Sequence, residues 1–248
     1  MAVAEFRFYE ELNDFLPPER RRVAFRHEFH HRGSIKDMIE SLGIPHTEVE
    51  LILVNGRSVA WDHIVRDGDR VAVYPVFEAL DVSPLIRLRR EPLRKTRFVL
   101  DGHLGTLARY LRLCGFDTAY RNHDDDETLA RISCEDHRIL LTRDRDLLKR
   151  RIVTHGYWVR SDLPGEQLFE VLRRFDLRRQ VRPFSRCARC NGTVRVVSKA
   201  EIEDQLEPLT REHYEEFRRC ERCGQIYWRG SHYDKIRTLI DEAVSRNA

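Results

Sequence analysis

Arg97-Phe98-Val99-Leu100-Asp101-Gly102-His103-Leu104-Gly105-Thr106-Leu107-Ala108-Arg109-Tyr110-Leu111-Arg112-Leu113-Cys114-Gly115 changes period partway through. Phe98-Val99-Leu100 is a short apolar run of strand type. Leu104, Leu107, Ala108, Leu111 and Leu113 then recur at helical spacing until Gly115 stops them. An acid, Asp101, stands at the switch. The same alternation continues downstream. Thr118-Ala119-Tyr120 reads as a second strand, 127–137 as a helix, and Ile139-Leu140-Leu141 as a third strand. A short helix around Leu147-Leu148 follows, then Tyr157-Trp158-Val159 and a helix over 166–175. Repeated strand–helix units predict an α/β core with a mostly parallel sheet covered on both faces.

In an open parallel sheet, ligands bind beyond the carboxyl ends of the strands. Asp101 lies just past the first strand. Asp144 and Asp146 lie just past the third, and Asp126 closes the loop His123-Asp124-Asp125-Asp126 before a helix. On this architecture the four carboxylates converge on one edge. Without a cation they would repel one another and raise some of their pKa values. A hard ion such as Mg²⁺ or Mn²⁺ removes that cost and takes oxygen ligands. Each Asp also has a plainer reading as a helix cap or first-turn acid.

Upstream, Phe6, Phe8 and the alternation through Val23, Phe25, Arg26 and Phe29 predict two strands joined by a turn at Pro17-Pro18. Ser34, with Asp37 three residues on, opens a helix that Gly43 and Pro45 stop. Leu51-Ile52-Leu53-Val54 enters an Asn55-Gly56 hairpin, and Asp67-Gly68-Asp69 precedes Val71-Ala72-Val73-Tyr74. This β-β-α-β-β order, with its Val-Asn-Gly and Asp-Gly-Asp-Arg-Val segments, resembles the α+β ubiquitin-like β-grasp fold of the small sulfur carriers. Those carriers act through a free C-terminal Gly-Gly. Here the last strand runs on into Pro75-Val76-Phe77-Glu78, so a docking or RNA-positioning module is expected instead.

The segments from Leu100 to Asp117, Asp126-Glu127-Thr128-Leu129-Ala130 and Arg138-Ile139-Leu140-Leu141-Thr142-Arg143-Asp144 closely resemble the PIN-like RNase family named for the Mut-seven C-terminal domain. The match continues through Arg186-Cys187-Ala188-Arg189-Cys190-Asn191-Gly192 and Tyr227-Trp228-Arg229-Gly230-Ser231-His232-Tyr233. A ubiquitin-like domain is a known companion in that family. The resemblance implies metal-dependent hydrolysis of RNA phosphodiesters. It carries Asp101, Asp126, Asp144 and Asp146 over as the acids, with Asp124 and Asp125 competing for the place of Asp126. Arg109, Arg112, Arg143 and His103 are the expected phosphate contacts. Arg109 and Arg112 share a helix face at a spacing of three. A dehalogenase-type phosphatase is disfavoured, because His103 stands where its second Asp belongs.

Six cysteines occur. Cys187-Ala188-Arg189-Cys190 and Cys220-Glu221-Arg222-Cys223 form two C-x₂-C pairs with 29 residues between them. In a reducing compartment this predicts a structural tetrathiolate Zn²⁺ site, with an inserted hairpin or helix between Lys199 and Phe217. Cys114 and Cys134 fall on helical apolar patterns and are expected to be buried; His213 and His232 are reserve ligands. Arg186, Arg189, Arg195, Arg218, Arg219, Arg222 and Arg229 offer phosphate contacts, and Tyr227 and Trp228 offer either stacking surfaces or core.

The predicted organisation is therefore a β-grasp domain over 1–78, a basic linker over 79–96, a PIN-like nuclease core over 97–180, and a zinc ribbon with a C-terminal helix over 181–248. Residues 1–80 carry ten basic and fourteen acidic side chains, a net of −4, and the remainder carries 34 and 27, a net of +7. A polyanion is thus expected to meet the later part. Of the 44 basic residues only five are Lys. With 41% hydrophobic and 34% charged residues and no apolar run of about 18, the composition excludes a disordered chain, a disulfide miniprotein and a membrane-spanning helix. The cytoplasm is the expected location, and RNA, including structured or ribosomal RNA, the expected partner. A non-cleaving RNA-binding or ribosome-associated factor is the rival reading, and protein scaffolding through the acidic N-terminal domain is a third.

Overall fold

The architecture was read from a computed structural model that describes residues 1–75 and 96–246. The basic linker expected over 79–96, with Pro84, Pro92 and its arginines, lies outside the described residues apart from Thr96. In chain order the first elements are β1 (Ala2–Phe8), β2 (Phe25–Phe29), α1 (Ile35–Ser41), β3 (Val49–Val54), β4 (Arg57–Ser58) and β5 (Arg70–Pro75). Next come β6 (Arg97–Leu100), α2 (Gly105–Leu113), β7 (Asp117–Tyr120), α3 (Asp126–Glu135), β8 (Ile139–Thr142), α4 (Arg145–Lys149), β9 (Gly156–Trp158) and α5 (Pro164–Arg174). The last are β10 (Val194–Val197), α6 (Pro208–His213), β11 (Phe217–Cys220), β12 (Ile226–Trp228) and α7 (Ser231–Ser245). The chain divides into two compact units: Met1–Lys95 with Asp126–Trp158, and Thr96–Asp125 with Val159–Ala248.

The first unit contains a mixed five-stranded sheet in the order β2-β1-β5-β3-β4. β1 runs antiparallel to β2 and parallel to β5, and β5 runs antiparallel to β3. Strict alternation in β1 sends Ala4, Phe6 and Phe8 inward and Glu5 and Arg7 outward. α1 is anchored by a complete capping box: Asp37 N–H donates to Ser34 Oγ at 3.2 Å, and Ser34 N–H donates to Asp37 Oδ2 at 3.3 Å. Its Ile35, Met38 and Ile39 join the buried cluster of the sheet. Asn55 and Gly56 both take positive φ (50° and 78°), the conformation a two-residue turn between β3 and β4 requires. Together these features make a ubiquitin-like β-grasp fold.

One local expectation changes. The turn expected at Pro17-Pro18 is present as a 3₁₀ turn over Pro18–Arg20, and a further 3₁₀ turn over Glu10–Phe15 lengthens the connection from β1 to β2. Leu12, Phe15 and Leu16 are apolar enough to be drawn into the core, so the connection becomes part of the hydrophobic layer.

The same unit holds α3, β8, α4 and β9. β8 is buried at all four positions and pairs in parallel with β9. Trp158, at the end of β9, is fixed from several sides. Its backbone N–H donates to Glu48 Oε1 at 2.6 Å, and its indole Nε1 donates to the Arg143 carbonyl at 3.2 Å. Its ring lies 5.0 Å from that of Phe15, with the Arg145 guanidinium 4.0 Å from its centroid. Nearby, buried His46 donates from Nε2 to the Val153 carbonyl at 2.7 Å while Nδ1 faces Glu40 Oε1 at 2.6 Å.

In the second unit β6 and β7 pair in parallel. α2 buries Leu107, Ala108 and Leu111 and packs against α5, which also meets α7. Phe98 of β6 sits between Phe116 and Phe175 at ring separations of 6.1 and 5.9 Å. β10, β11 and β12 form an antiparallel three-stranded sheet, and α6 occupies the insertion expected between Lys199 and Phe217. The parallel pairs β6–β7 and β8–β9, with their intervening helices, give the α/β class that the alternating pattern implied. Among the described residues no helix is long and apolar enough to cross a membrane.

Candidate active site and thiolate cluster

β6 ends at Leu100, and Asp101 follows in extended conformation (φ −63°, ψ 153°) before a 3₁₀ turn over Gly102–Leu104 leads into α2. The Asp101 side chain makes no capping bond to that turn, so capping does not explain its presence. The turn is held close to β7: the Tyr120 hydroxyl donates to the Gly102 carbonyl at 2.9 Å. A Cβ at Gly105 would lie 2.5 Å from that hydroxyl, so only glycine allows the approach. His103 is exposed.

The other three acids are in the first unit. Asp144 is the N-cap of α4, where its Oδ1 accepts from Asp146 N–H at 2.7 Å and Leu147 N–H at 3.4 Å. Its own N–H donates to Thr142 Oγ1 at 2.9 Å, which fixes the turn out of β8. Asp126 opens α3, with Oδ2 3.5 Å from the Arg150 guanidinium. Asp146 Oδ1 lies 3.0 Å from Lys149 Nζ, on a carboxylate that is 85% exposed. Exposed pairs of this kind are worth about 0–1 kcal/mol and yield readily to a better cation. Arg143 is half-buried beside Asp144.

Arg112 differs from expectation. Spacing placed it beside Arg109 as a phosphate contact; instead it is buried and faces the protein. Its Nε donates to the Thr118 carbonyl at 2.9 Å, and its Nη1 to the carbonyls of Ala188 and Arg189 at 3.2 and 3.1 Å. Burial works against its charge, while the Cys187 and Cys190 sulfurs and Asp117 act to restore it. Arg109 is exposed and meets His232 Nε2 at 3.3 Å. A three-residue spacing fixes a helix face but not its depth, and here the edge of the Leu stripe reaches Arg112.

The four ribbon cysteines come together from two knuckles. Cys187 Sγ is 3.6 Å from Cys223 Sγ, Cys190 Sγ is 3.4 Å from Cys220 Sγ, and all four sulfurs lie within 4.8 Å of one another. A tetrahedral ion with metal–sulfur bonds of about 2.3 Å sets its sulfurs about 3.8 Å apart, so the donor set fits a zinc ion. Among the described residues this is the only group of three or more His, Cys, Asp or Glu side chains gathered at metal-binding distance. His213 bonds the Leu209 carbonyl and His232 meets Arg109, so neither reserve ligand belongs to it. Although burial opposes ionisation, the Tyr227 hydroxyl at 3.1 Å and backbone N–H groups hold the Cys187 thiol down to about 7. A Cβ at Gly192 would stand 3.0 Å from Cys220 Sγ and 2.8 Å from Arg222 Cβ, so a side chain there would crowd the cage.

Of the remaining cysteines, Cys114 is buried and its thiol is pushed up to about 12 by desolvation. Cys134, expected to be buried, is exposed: α3 turns it away from the face that buries Leu129, Ala130 and Ser133.

Residues that sequence reasoning passed over tie the knuckle to the α/β core. Asn191 donates from Nδ2 to Asp117 Oδ1 at 2.9 Å and accepts from Thr118 N–H at 3.0 Å. The available clue is its place directly after a C-x₂-C pair, because Asn tolerates the left-handed turn, which it takes here with φ 65°.

The parallel strand–helix units followed by a four-thiolate ribbon define an α/β protein that also carries a β-grasp domain. Residues 96–240 match the model of the Mut7-C RNAse domain, and the chain belongs to that family. Residues 1–81 match the Mut7-C ubiquitin model. Among solved structures, the chain is similar to small archaeal modifier protein 1 from Haloferax volcanii (17% identity, 31% of this chain and 100% of that one, TM-score 0.26). It is also similar to a protein assigned as molybdopterin converting factor subunit 1 from Pyrococcus furiosus (22% identity, 31% and 100%, TM-score 0.25). A comparison with curated proteins returns no match.

Proposed function

We propose that the chain is a metal-dependent ribonuclease that hydrolyses RNA phosphodiester bonds, with Asp101, Asp126, Asp144 and Asp146 as its carboxylates. The observation that carries this reading is the RNAse-domain match over residues 96–240. The placement of Asp101 directly after β6, and of Asp144 two residues after β8, supports it. Asp101 and Asp144 would hold Mg²⁺ or Mn²⁺, with Asp126 and Asp146 completing the set. Such an ion supplies Lewis acidity to the phosphate and a water of lowered pKa. Asp144 enters the reaction already oriented, because two backbone N–H groups fix its Oδ1; the reading gives Oδ2 to the ion. Arg143, Arg109 and His103 are the assigned phosphate contacts.

The thiolate cluster is assigned to structural Zn²⁺. Four protein ligands leave no open position, so its contribution is to folding. The β-grasp domain is assigned to docking, with a protein partner in view, because the Gly-Gly terminus of a carrier is absent from the sequence after β5.

The test is cleavage of labelled RNA by the full chain with Mg²⁺ or Mn²⁺. Asp101→Asn and Asp144→Asn should each slow it by more than about 100-fold, the upper range for losing an outer partner of a metal ligand. Their circular dichroism should remain that of the parent; Asn still caps α4. RNA binding without cleavage by the parent in either metal would replace this reading with the non-cleaving rival.

A further inference from the structure

The second unit contains an open groove of about 960 Å³ along the three-stranded ribbon sheet and the start of α7. Its floor includes a row straight across the strands: Val196, Arg218 and Tyr227 stand opposite one another in register. Val196 is 69% exposed and Arg218 is exposed, so this row is surface rather than core. Within the row Tyr227 is pinned by its hydroxyl, which accepts from Ala188 N–H and lies against Cys187 Sγ, each at 3.1 Å.

Trp228 is the feature that needs explaining. It is 39% exposed although its register partner Phe217 is fully buried. It also lines a second recess of about 340 Å³, which shares Arg189, Gln225 and Ile226 with the larger groove. A partly exposed indole that lines two adjoining hollows offers a surface on which a flat ring can stack. Tyr214 supports it at 6.3 Å between ring centroids.

The charges around the shelf indicate what would lie on it. Arg109, Arg189, Arg218 and Arg229 line the groove against two acids, Glu215 and Glu216. Glu216 is paired with Arg229 at 3.3 Å, and Glu215 with Lys199. The local balance is positive, and its carriers are planar guanidinium groups, which match phosphate. Aromatic shelves interleaved with arginines are the physical basis of sequence-tolerant single-strand binding: bases stack while the cations follow the backbone.

We infer that this ribbon groove binds a single-stranded segment of the RNA substrate, with one base stacked on Trp228 and flanking phosphates held by Arg189 and Arg218. This rests on the ribonuclease reading and locates a substrate contact outside the proposed acids. None of the three residues is among those assigned to cleavage.

The experiment uses the full chain carrying Asp144→Asn, so that RNA stays intact, and a fluorescein-labelled 12-nucleotide single-stranded RNA. Trp228→Ala should weaken binding roughly 5- to 100-fold, the effect of losing one base stack, while Trp228→Phe should stay within a few-fold of the parent. RNA should quench tryptophan emission in the parent and do so much less in Trp228→Phe, which retains Trp61 and Trp158. Joint Arg189→Ala and Arg218→Ala should flatten the slope of log affinity against log salt by about 1.4, near 0.7 for each phosphate contact released. Unchanged zinc content would show that each variant keeps its ribbon. If these variants bind RNA as the parent does, the groove is not the RNA site. If the chain with Asp144 restored cleaves RNA while the variants bind normally, the groove inference falls and the nuclease reading stands. If the parent does not bind RNA and the chain with Asp144 restored does not cleave it, both fall.

Discussion

The β-grasp region and the ribbon are held together by different means. Among the described residues, sixteen buried apolar side chains, from Ala4 and Phe6 to Val71 and Val73, make the cluster of the first. Three, Val197, Ile202 and Phe217, make the cluster of the second. At about 1.5–3 kcal/mol for each buried side chain, the ribbon cluster contributes roughly 5–9 kcal/mol before any ordering cost is charged against it. A structural zinc site contributes about 10–16 kcal/mol in small finger peptides. With zinc bound as proposed, the ribbon would depend on its sulfurs where the β-grasp region depends on its interior, and perturbations should separate the two.

Metal removal should have the largest effect. Stripping the full chain with a strong chelator should abolish amide-exchange protection across β10, β11 and β12 and leave that of β1, β3 and β5 in place. Ribbon amides that stay protected after the metal is gone would break the comparison. Next in size is Phe6→Ala, which empties a site of 0% exposure and should cost about 3–5 kcal/mol in urea unfolding of the first unit. Zinc affinity should be untouched, and a matching loss of zinc would show that the two means of support are not independent. The smallest effect belongs to Glu48→Ala, which leaves the Trp158 N–H without its carboxyl acceptor. About 1.5–3 kcal/mol is expected. A change under 0.5 kcal/mol would mean that water replaces the carboxylate at no cost.

Much of this contrast can be read before any coordinates are known. Asn55-Gly56 specifies its turn because few other pairs tolerate two positive φ angles, and Ser34 with Asp37 specifies a helix start through reciprocal hydrogen bonds. Such signals are local, and they appear as expected. The two C-x₂-C pairs are also legible, because thiolates at that spacing form a knuckle wherever they occur. What escapes is depth and long-range pairing. Nothing in the run from Arg109 to Arg112 says that one guanidinium faces water and the other three carbonyls. Cys134 follows a helical pattern, yet the neighbours of α3 leave it exposed. Glu48 and Trp158 are 110 residues apart, and neither announces the other. The strand-end positions of Asp101 and Asp144 follow from periodicity alone. Their chemistry does not, and the assignment rests on the family they belong to.

Arg112 has a practical consequence for anyone trimming the molecule. Its guanidinium joins α2 to β7 and also takes two carbonyls from the first cysteine knuckle. A shortened chain ending before Arg186 would retain all four proposed acids, yet it would strand a desolvated cation that has lost two of its three acceptors. Such a fragment should express as an unstable or aggregating species, and an inactive preparation of it would say nothing about the acids it still carries. The ribbon is better regarded as a keystone for α2 and β7 than as an appendage that can be cut away.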